Sequence, residues 1–299
     1  MTTVTQADGL IHLALYLYAE SPVRAGGDKD AHVDLPLQRD SVTGFPVIHG
    51  QSLKGALKRH GGLTPEQVRA AFGSDPTDPG ESSAGSVSVH EAHVVALPLA
   101  TTARIFAWVT CPLALHRVNR TRARTGAQPL SLPPLTSDQF RHADPDTHTP
   151  YRHPVLLGPV VVDDLAHDPA ATDCAATIAD EAFPDETQVL KPFADKFSHD
   201  LVIAGDSVGG HLLRRASVEI TRNNTTGGKT VPFDDEYLPE ESLLIAPLSL
   251  PPTMEVPGSE HPLTAAEVVD SLHGQVLQVG ADRSVGKGLM WMSVLGQVN

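Results

Sequence analysis

Apolar and polar residues alternate over residues 10–19 (LIHLALYLYA), the period of two that predicts a strand. A loop rich in Gly and Asp follows over residues 22–37. The apolar run from Gly44 to Ile48 then forms a stiff brace ending at Gly50. Past it the spacing predicts a helix over residues 53–60, with Ser52 as N-cap and Gly61-Gly62 as its stop. A short helix near residues 65–72 and a polar linker over 73–85 lead to two strands, 87–97 and 103–110, paired across a tight turn. Residues 125–151 are rich in Pro, Ser, Thr, Asp and His and read as a long insertion loop. Beyond it come a buried strand at 155–162 and a modest amphipathic helix at 170–182. Segments 201–205, 212–222 and 230–233 read as extended hairpins turning at Gly209-Gly210 and Gly227-Gly228. This order of elements is compatible with an α+β fold built on a ferredoxin-like, RRM-type core, and it leaves other α+β folds open.

With 299 residues and 40% hydrophobic content the chain holds enough apolar side chains for a real core, in one large domain or two modest ones. It contains no run of about 18 apolar residues, and MTTVTQADG lacks both the charged start and the apolar centre of a signal peptide, so a cytoplasmic protein is expected. Cys111 and Cys174 lie far apart and fit no metal spacing, which suits buried or free thiols in a reducing compartment.

The net charge of −14 argues against nucleic-acid binding, because Lys and Arg normally drive affinity for phosphate. Its distribution weakens that argument: residues 1–130 carry +1, residues 131–200 carry −9 and residues 201–299 carry −6. In the neutral part, Arg117, Arg120, Arg122 and Arg124 form a basic cluster able to track a phosphate backbone; a solvated helix face is the alternative.

Two glycine-rich places carry candidate anion chemistry. Gln51 and Ser52 bring donors to the positive end of the first helix, where Lys54, Lys58 and Arg59 add charge. Near the C-terminus Gly280, Gly286 and Gly288 flank Asp282, Arg283, Ser284 and Lys287; glycines there permit successive amides to converge on a phosphate. Of the fifteen histidines, His90 and His93 form HEAH, which is not the HExxH zinc motif, and on a strand they would face opposite ways.

The stretch from Asp34 to Gly55 (DLPLQRDSVTGFPVIHGQSLKG) resembles the signature of the repeating backbone subunit of type III-B CRISPR effector complexes, the Cmr family within the RAMP superfamily of RNA-binding proteins. Further blocks follow in the same order: YLYAESPVRA from Tyr16, GSVSVHEAHVVALPL from Gly85, RIFAWVTCPL from Arg104, RASVEITR from Arg215, EYLPE from Glu236 and VGADRSVGKGL from Val279. The resemblance covers nearly the whole chain and implies a single domain over residues 1–299, with a ferredoxin-like core and a protruding thumb hairpin at about 201–237.

It also implies roles. Asp34 matches the position that cleaves RNA, with Asp28, Asp30 and Asp40 as nearby loop charges. Arg39, Gln51, Ser52, Lys54, Arg283 and Lys287, together with the glycine-rich loop, match positions that hold guide RNA. A single matched acid implies a weakly held divalent cation, Mg²⁺ or Mn²⁺, with no metal ligand fixed beyond Asp34. The implied partners are guide crRNA, target RNA, copies of the same chain in a filament and the other subunits of a Cmr complex, with no membrane. Two alternatives stay open: a filament subunit that binds guide without cleaving, and a stand-alone guide-processing ribonuclease using His32 or His49 as acid-base residue.

Overall fold

The computed structural model describes residues 9–26, 36–74, 83–145, 154–184, 188–226 and 229–298, with backbone alone over 219–226 and 229–233. Strand β1 (Ile11–Ala19) is buried on both sides from Leu13 onward. Leu13, Leu15 and Leu17 enter one core while Ala14, Tyr16 and Tyr18 enter a second on the opposite face, as the two-residue repeat of a strand requires.

After β1 the chain forms β2 (Val47–Ile48), α1 (Gly50–Lys58), α2 (Pro65–Phe72), β3 (Ser88–Val89) and β4 (Ala92–Ala100). Helix α2 starts on a capping box, in which the Thr64 side chain and Gln67 satisfy each other's backbone amides, with Pro65 at the first helical position. Next come β5 (Phe106–Thr110), α3 (Pro112–Thr125), β6 (Phe140–His142), β7 (Val155–Leu157), β8 (Val160–Val162), β9 (Leu165–His167), α4 (Pro169–Ala182) and α5 (Lys191–Asp200). The remainder is β10 (Leu201–Ala204), α6 (Asp206–Arg215), β11 (Val218–Thr226), β12 (Lys229–Tyr237), β13 (Leu243–Leu250), β14 (Thr253–Met254), β15 (Leu263–Thr264), α7 (Ala265–Leu272), β16 (Val276–Gln278) and β17 (Leu289–Leu295).

The heart of the sheet is the antiparallel run β17-β1-β13-β4. In chain order these are strands four, one, three and two of a β-α-β-β-α-β unit, the ferredoxin-like arrangement, with α1 and α7 as its two helices. Leu53, Ala56 and Leu57 of α1, Phe72 of α2 and Leu272 of α7 pack on the odd-numbered face of β1. Beyond β4 the sheet continues through β5, β10, β6 and β9, and β5-β10 and β6-β9 are parallel pairs.

The even-numbered face is where an RRM-type sheet would offer aromatic rings to bases. Here it is sealed. Tyr16 and Tyr18 lie beneath α3, α4 and α5, among Leu115, Val118, Ile178 and Phe197. Tyr18 meets Phe183 edge-on at 4.8 Å and Trp108 lies 5.0 Å from Phe197; such pairs contribute about 0.5–1.5 kcal/mol each beyond simple burial. That face is therefore closed to any ligand.

Several expectations change. Residues 201–204 are β10 of the central sheet, with Gly205 as the N-cap of α6; of the expected extended segment 212–222, residues 212–215 lie in helix α6, which carries Gly209 and Gly210 in its interior, while 218–222 enter strand β11. A Cβ on Gly209 would stand 2.7 Å from the Ala204 carbonyl oxygen and 2.8 Å from Cβ of Cys111, so that glycine serves close packing and not a turn. The hairpin proper is β11-β12, which pairs with itself from Val218 opposite Tyr237 to Thr226 opposite Lys229. The 125–151 segment includes the end of α3 and the whole of β6, and residues 146–153 lie outside the described ones. Residues 155–162 are a tight β7-β8 hairpin instead of one strand. Both cysteines are buried free thiols, and burial pushes each up to about 12, which makes them inert. Among the described residues no helix is long and apolar enough to cross a membrane.

Candidate nucleic-acid interface

The segment from Pro22 to Gly26 is a hub. On one side Gly288 donates its amide to the Pro22 carbonyl (2.9 Å) and Ala281 donates to that of Arg24 (3.2 Å), which docks the terminal loop. On the other side Gln38 donates its amide to the Ala25 carbonyl (2.9 Å), and Val23 exchanges backbone hydrogen bonds with Leu238 just past β12. Gln38 extends the hub to α1. Its side-chain nitrogen donates to the Gly26 carbonyl and to Oγ of Ser52, both at 3.0 Å, while its side-chain oxygen accepts from the His49 amide at 2.7 Å. The start of α1 and the terminal loop are thus neighbours through one short stretch of chain, although they are far apart in sequence.

A buried polar belt reinforces this edge. Glu236 accepts from the Leu37 amide (2.9 Å) and pairs with the Arg39 guanidinium. Its neighbour Tyr237 donates to Asp282 at 3.0 Å, and Asp282 is held by Arg24 at 2.8 Å. The base of the β11-β12 hairpin is in this way bolted both to the segment leading into α1 and to the terminal loop.

The sequence-derived candidates fall into place unequally. Asp34, with His32, Asp28 and Asp30, lies outside the described residues; the chain resumes at Pro36, and Leu37 forms a bridge with Gly26. Helix α1 begins at Gly50, so the N-cap is His49 and not Ser52, and His49 makes no side-chain cap. A Cβ on Gly50 would come within 2.5 Å of the Val89 carbonyl oxygen, so this glycine permits packing of backbone on backbone and not approach of a ligand. Gln51 is exposed at the helix terminus, Ser52 is held by Gln38, and Lys54 donates to the Val87 carbonyl at 2.9 Å. Burial, followed by the charge of Lys58, lowers the Lys54 ammonium from its usual range. Arg39 donates to the carbonyls of Gly44 (3.1 Å) and Arg214 (2.8 Å) as well as pairing with Glu236, so its donors are largely spent inside the protein.

In the terminal loop, the amides of Val285, Gly286 and Lys287 bond to carbonyls of Asp282 and Arg283 within the loop itself. Those three amides do not converge on a ligand as expected. Positive charge comes from the side chains, with Arg283 exposed and the Lys287 ammonium 5.6 Å from the centre of the Tyr237 ring. Gly280 and Gly288 are required by the protein's own backbone, since a Cβ would fall 2.1 Å from the carbonyl oxygens of Arg24 and Val279 respectively. Gly286 alone among the three has open space around it, at φ +74°.

Asp40 is not a solvated loop charge. It accepts from the amide and hydroxyl of Thr43, both at 2.7 Å, and faces Arg117 at 3.5 Å. Burial acts to raise its carboxyl, but these donors outweigh that and hold it at about 2. The arginine cluster also divides: Arg122 is buried against Glu181 and the Gln128 carbonyl, while Arg120 and Arg124 stay exposed. Sequence reasoning missed Arg24, Gln38 and Glu236 as organisers of the edge. The only signals were their places in the resembling blocks, because pairs such as Arg39–Glu236, 197 positions apart, leave no local spacing to read.

Comparison with known proteins agrees with this architecture. A curated relative from Pyrococcus furiosus, the CRISPR system Cmr endoribonuclease Cmr4, is 28% identical over 291 residues, 92% of each chain. A crystal structure of oligomeric Cmr4 from the same organism superposes with a TM-score of 0.69 at 23% identity, covering 96% of this chain and 99% of that one. A chain of the type III-B Cmr-beta complex bound to cognate target RNA gives 0.65 at 17% identity, covering 95% and 97%. The RAMP superfamily model matches residues 16–291, nearly the full ferredoxin-like core with its insertions, and the chain belongs to that superfamily.

Proposed function

We propose that the chain is the repeating backbone subunit of a type III-B CRISPR (Cmr) effector complex, which holds guide crRNA along the α1 and terminal-loop edge and cleaves paired target RNA at regular intervals. The observation that carries this reading is the hub at Pro22–Gly26, which joins two separate cationic turns into one edge beside the segment leading out of Asp34. The Pyrococcus furiosus relative, named an endoribonuclease and alike over 92% of the chain, supports it.

In this reading guide phosphates rest on Gln51 and Ser52 at the open end of α1 and on Arg283 and Lys287, with Lys54 adding potential from behind. Arg39 acts through Glu236 by fixing the segment next to Asp34. Backbone contacts fix the strand, and base pairing reads the target. The β11-β12 hairpin is the thumb that reaches a neighbouring copy. The partners are guide crRNA, target RNA, copies of the chain and the other Cmr subunits, working in the cytoplasm.

Asp34 takes the proton of a target 2′-hydroxyl. That oxygen attacks the adjacent phosphorus, the bond to the 5′-oxygen breaks, and the leaving oxygen takes a proton from water, giving a cyclic phosphate and a 5′-hydroxyl. A divalent cation, Mg²⁺ or Mn²⁺, supplies charge stabilisation when bound. Asp34, together with phosphate oxygens, would hold it.

The test is to purify the assembled complex and extract its nucleic acid. A uniform short RNA is expected, and absence of RNA contradicts the proposal. Target cleavage should stop in EDTA and return with added Mg²⁺. Cleavage that persists in EDTA, from a monomer acting on a hairpin precursor, would favour the stand-alone processing enzyme.

A further inference from the structure

Three arginines on one face of α3 border a cavity of about 400 Å³ opposite the entry to β4. Arg117, Arg120 and Arg124 stand at helical spacings of three and four, so their guanidinium groups share that face. His90, His93 and Glu91 close the other side. The expected placement of the two histidines on opposite faces fails because His90 precedes β4, which begins at Ala92, so both rings reach the same cavity.

The charge balance is lopsided. Arg117 shares Asp40 at 3.5 Å and Glu91 sits on the rim, while Arg120 and Arg124 have no ion-pair partner among the described residues. Like charges at these spacings repel. Such a concentration in a chain of net charge −14 calls for an anionic occupant. Burial first, then Arg124 for His90 and Arg117 for His93, lowers both imidazoles from their usual range. Each ring can donate a hydrogen bond.

The cavity also continues the edge already described. Gly50, the first residue of α1, packs directly on the Val89 and His90 backbone, and Val47 pairs with His93. We propose that this cavity is a second seat for the phosphodiester backbone of single-stranded RNA, with Arg120 and Arg124 as its principal phosphate contacts and the two histidines as further hydrogen-bond donors. The proposal rests on the RNA-binding reading above and extends its path past the start of α1. Arg120 to Arg124 spans about 6 Å along the helix, a length that sets two guanidinium forks along a strand. Such forks match phosphate oxygens in pairs.

The test measures anisotropy of a labelled oligouridylate titrated with the full chain at several salt concentrations. The variants are R120A/R124A and, separately, R283A/K287A. Both arginines of the first pair are exposed, so its thermal midpoint should match the parent. Without these two guanidinium groups to neutralise phosphates, R120A/R124A should bind about tenfold more weakly, and its log–log salt slope should flatten by about 1.4. Unchanged affinity and slope in R120A/R124A, with weakened binding in R283A/K287A, would overturn the cavity while leaving the main reading intact. Failure of the parent chain to bind the oligomer would overturn both. Unchanged RNA binding with reduced self-association in sedimentation would also overturn it, by assigning the cavity to an acidic surface of a neighbouring copy.

Discussion

At Glu236 one carboxylate serves two partners, the Leu37 amide and the Arg39 guanidinium. Its own side chain is 7% exposed and that of Arg39 is 30% exposed. Removing one member of a buried pair strands the other, at about 3–5 kcal/mol when both are fully enclosed; with Arg39 partly in water, about 2–3 kcal/mol is expected for Glu236→Ala. Glu236→Gln keeps an acceptor for Leu37 and should lose less. Urea denaturation measures both. Because Glu236 positions the chain beside Asp34, the Ala variant should lose target cleavage by a larger factor than it loses guide affinity. Equal losses would make Glu236 only a stabiliser. Residues of this kind escape sequence reading: Arg39 reads as a cation offered to RNA, and only the fold brings a carboxylate from β12 against it. Arg122 is the same case, indistinguishable in sequence from Arg120 until α4 places Glu181 on it.

Elements that obey a local period were the legible ones. β1, α2, α4 and the β4-β5 pair lie close to where alternation, caps and turns put them. Helix α6 did not, because a Gly-Gly pair signals a turn when its neighbours in space are unknown, whereas here Gly209 fits the helix against β10 and Cys111. The terminal loop teaches a related lesson, since its glycines serve different masters. Gly280→Ala meets the Arg24 carbonyl and must also adopt φ +76°, so it should cost more than about 2 kcal/mol, on the order of a steric clash plus left-handed strain. Gly286→Ala meets open space and bears only the strain of φ +74°, about 1 kcal/mol. Thermal midpoints of the two variants should separate in that order. A reversed order would mean that the loop does not clasp Arg24 as described.

For the whole molecule, the ferredoxin-like order of β17-β1-β13-β4 carries a second helical layer where related sheets receive bases, and this moves the binding problem to an edge. The acidic balance of residues 131–299 then ceases to be an objection, since the edge draws its cations from α1 and the terminal loop, while α3 extends it. Strand order and the burial of the second face were not readable from periodicity, because both depend on pairings between distant segments. The strand order followed only from the block-by-block resemblance, and the sealed second face only from the structure. The central claim is that this edge holds the guide and places Asp34 against the paired target. Mapping the cut positions on a target RNA with complexes carrying either the parent chain or Asp34→Ala tests it most directly. The variant complex should retain its guide RNA and lose the regularly spaced cuts. Cuts persisting at the same positions and rates would contradict it.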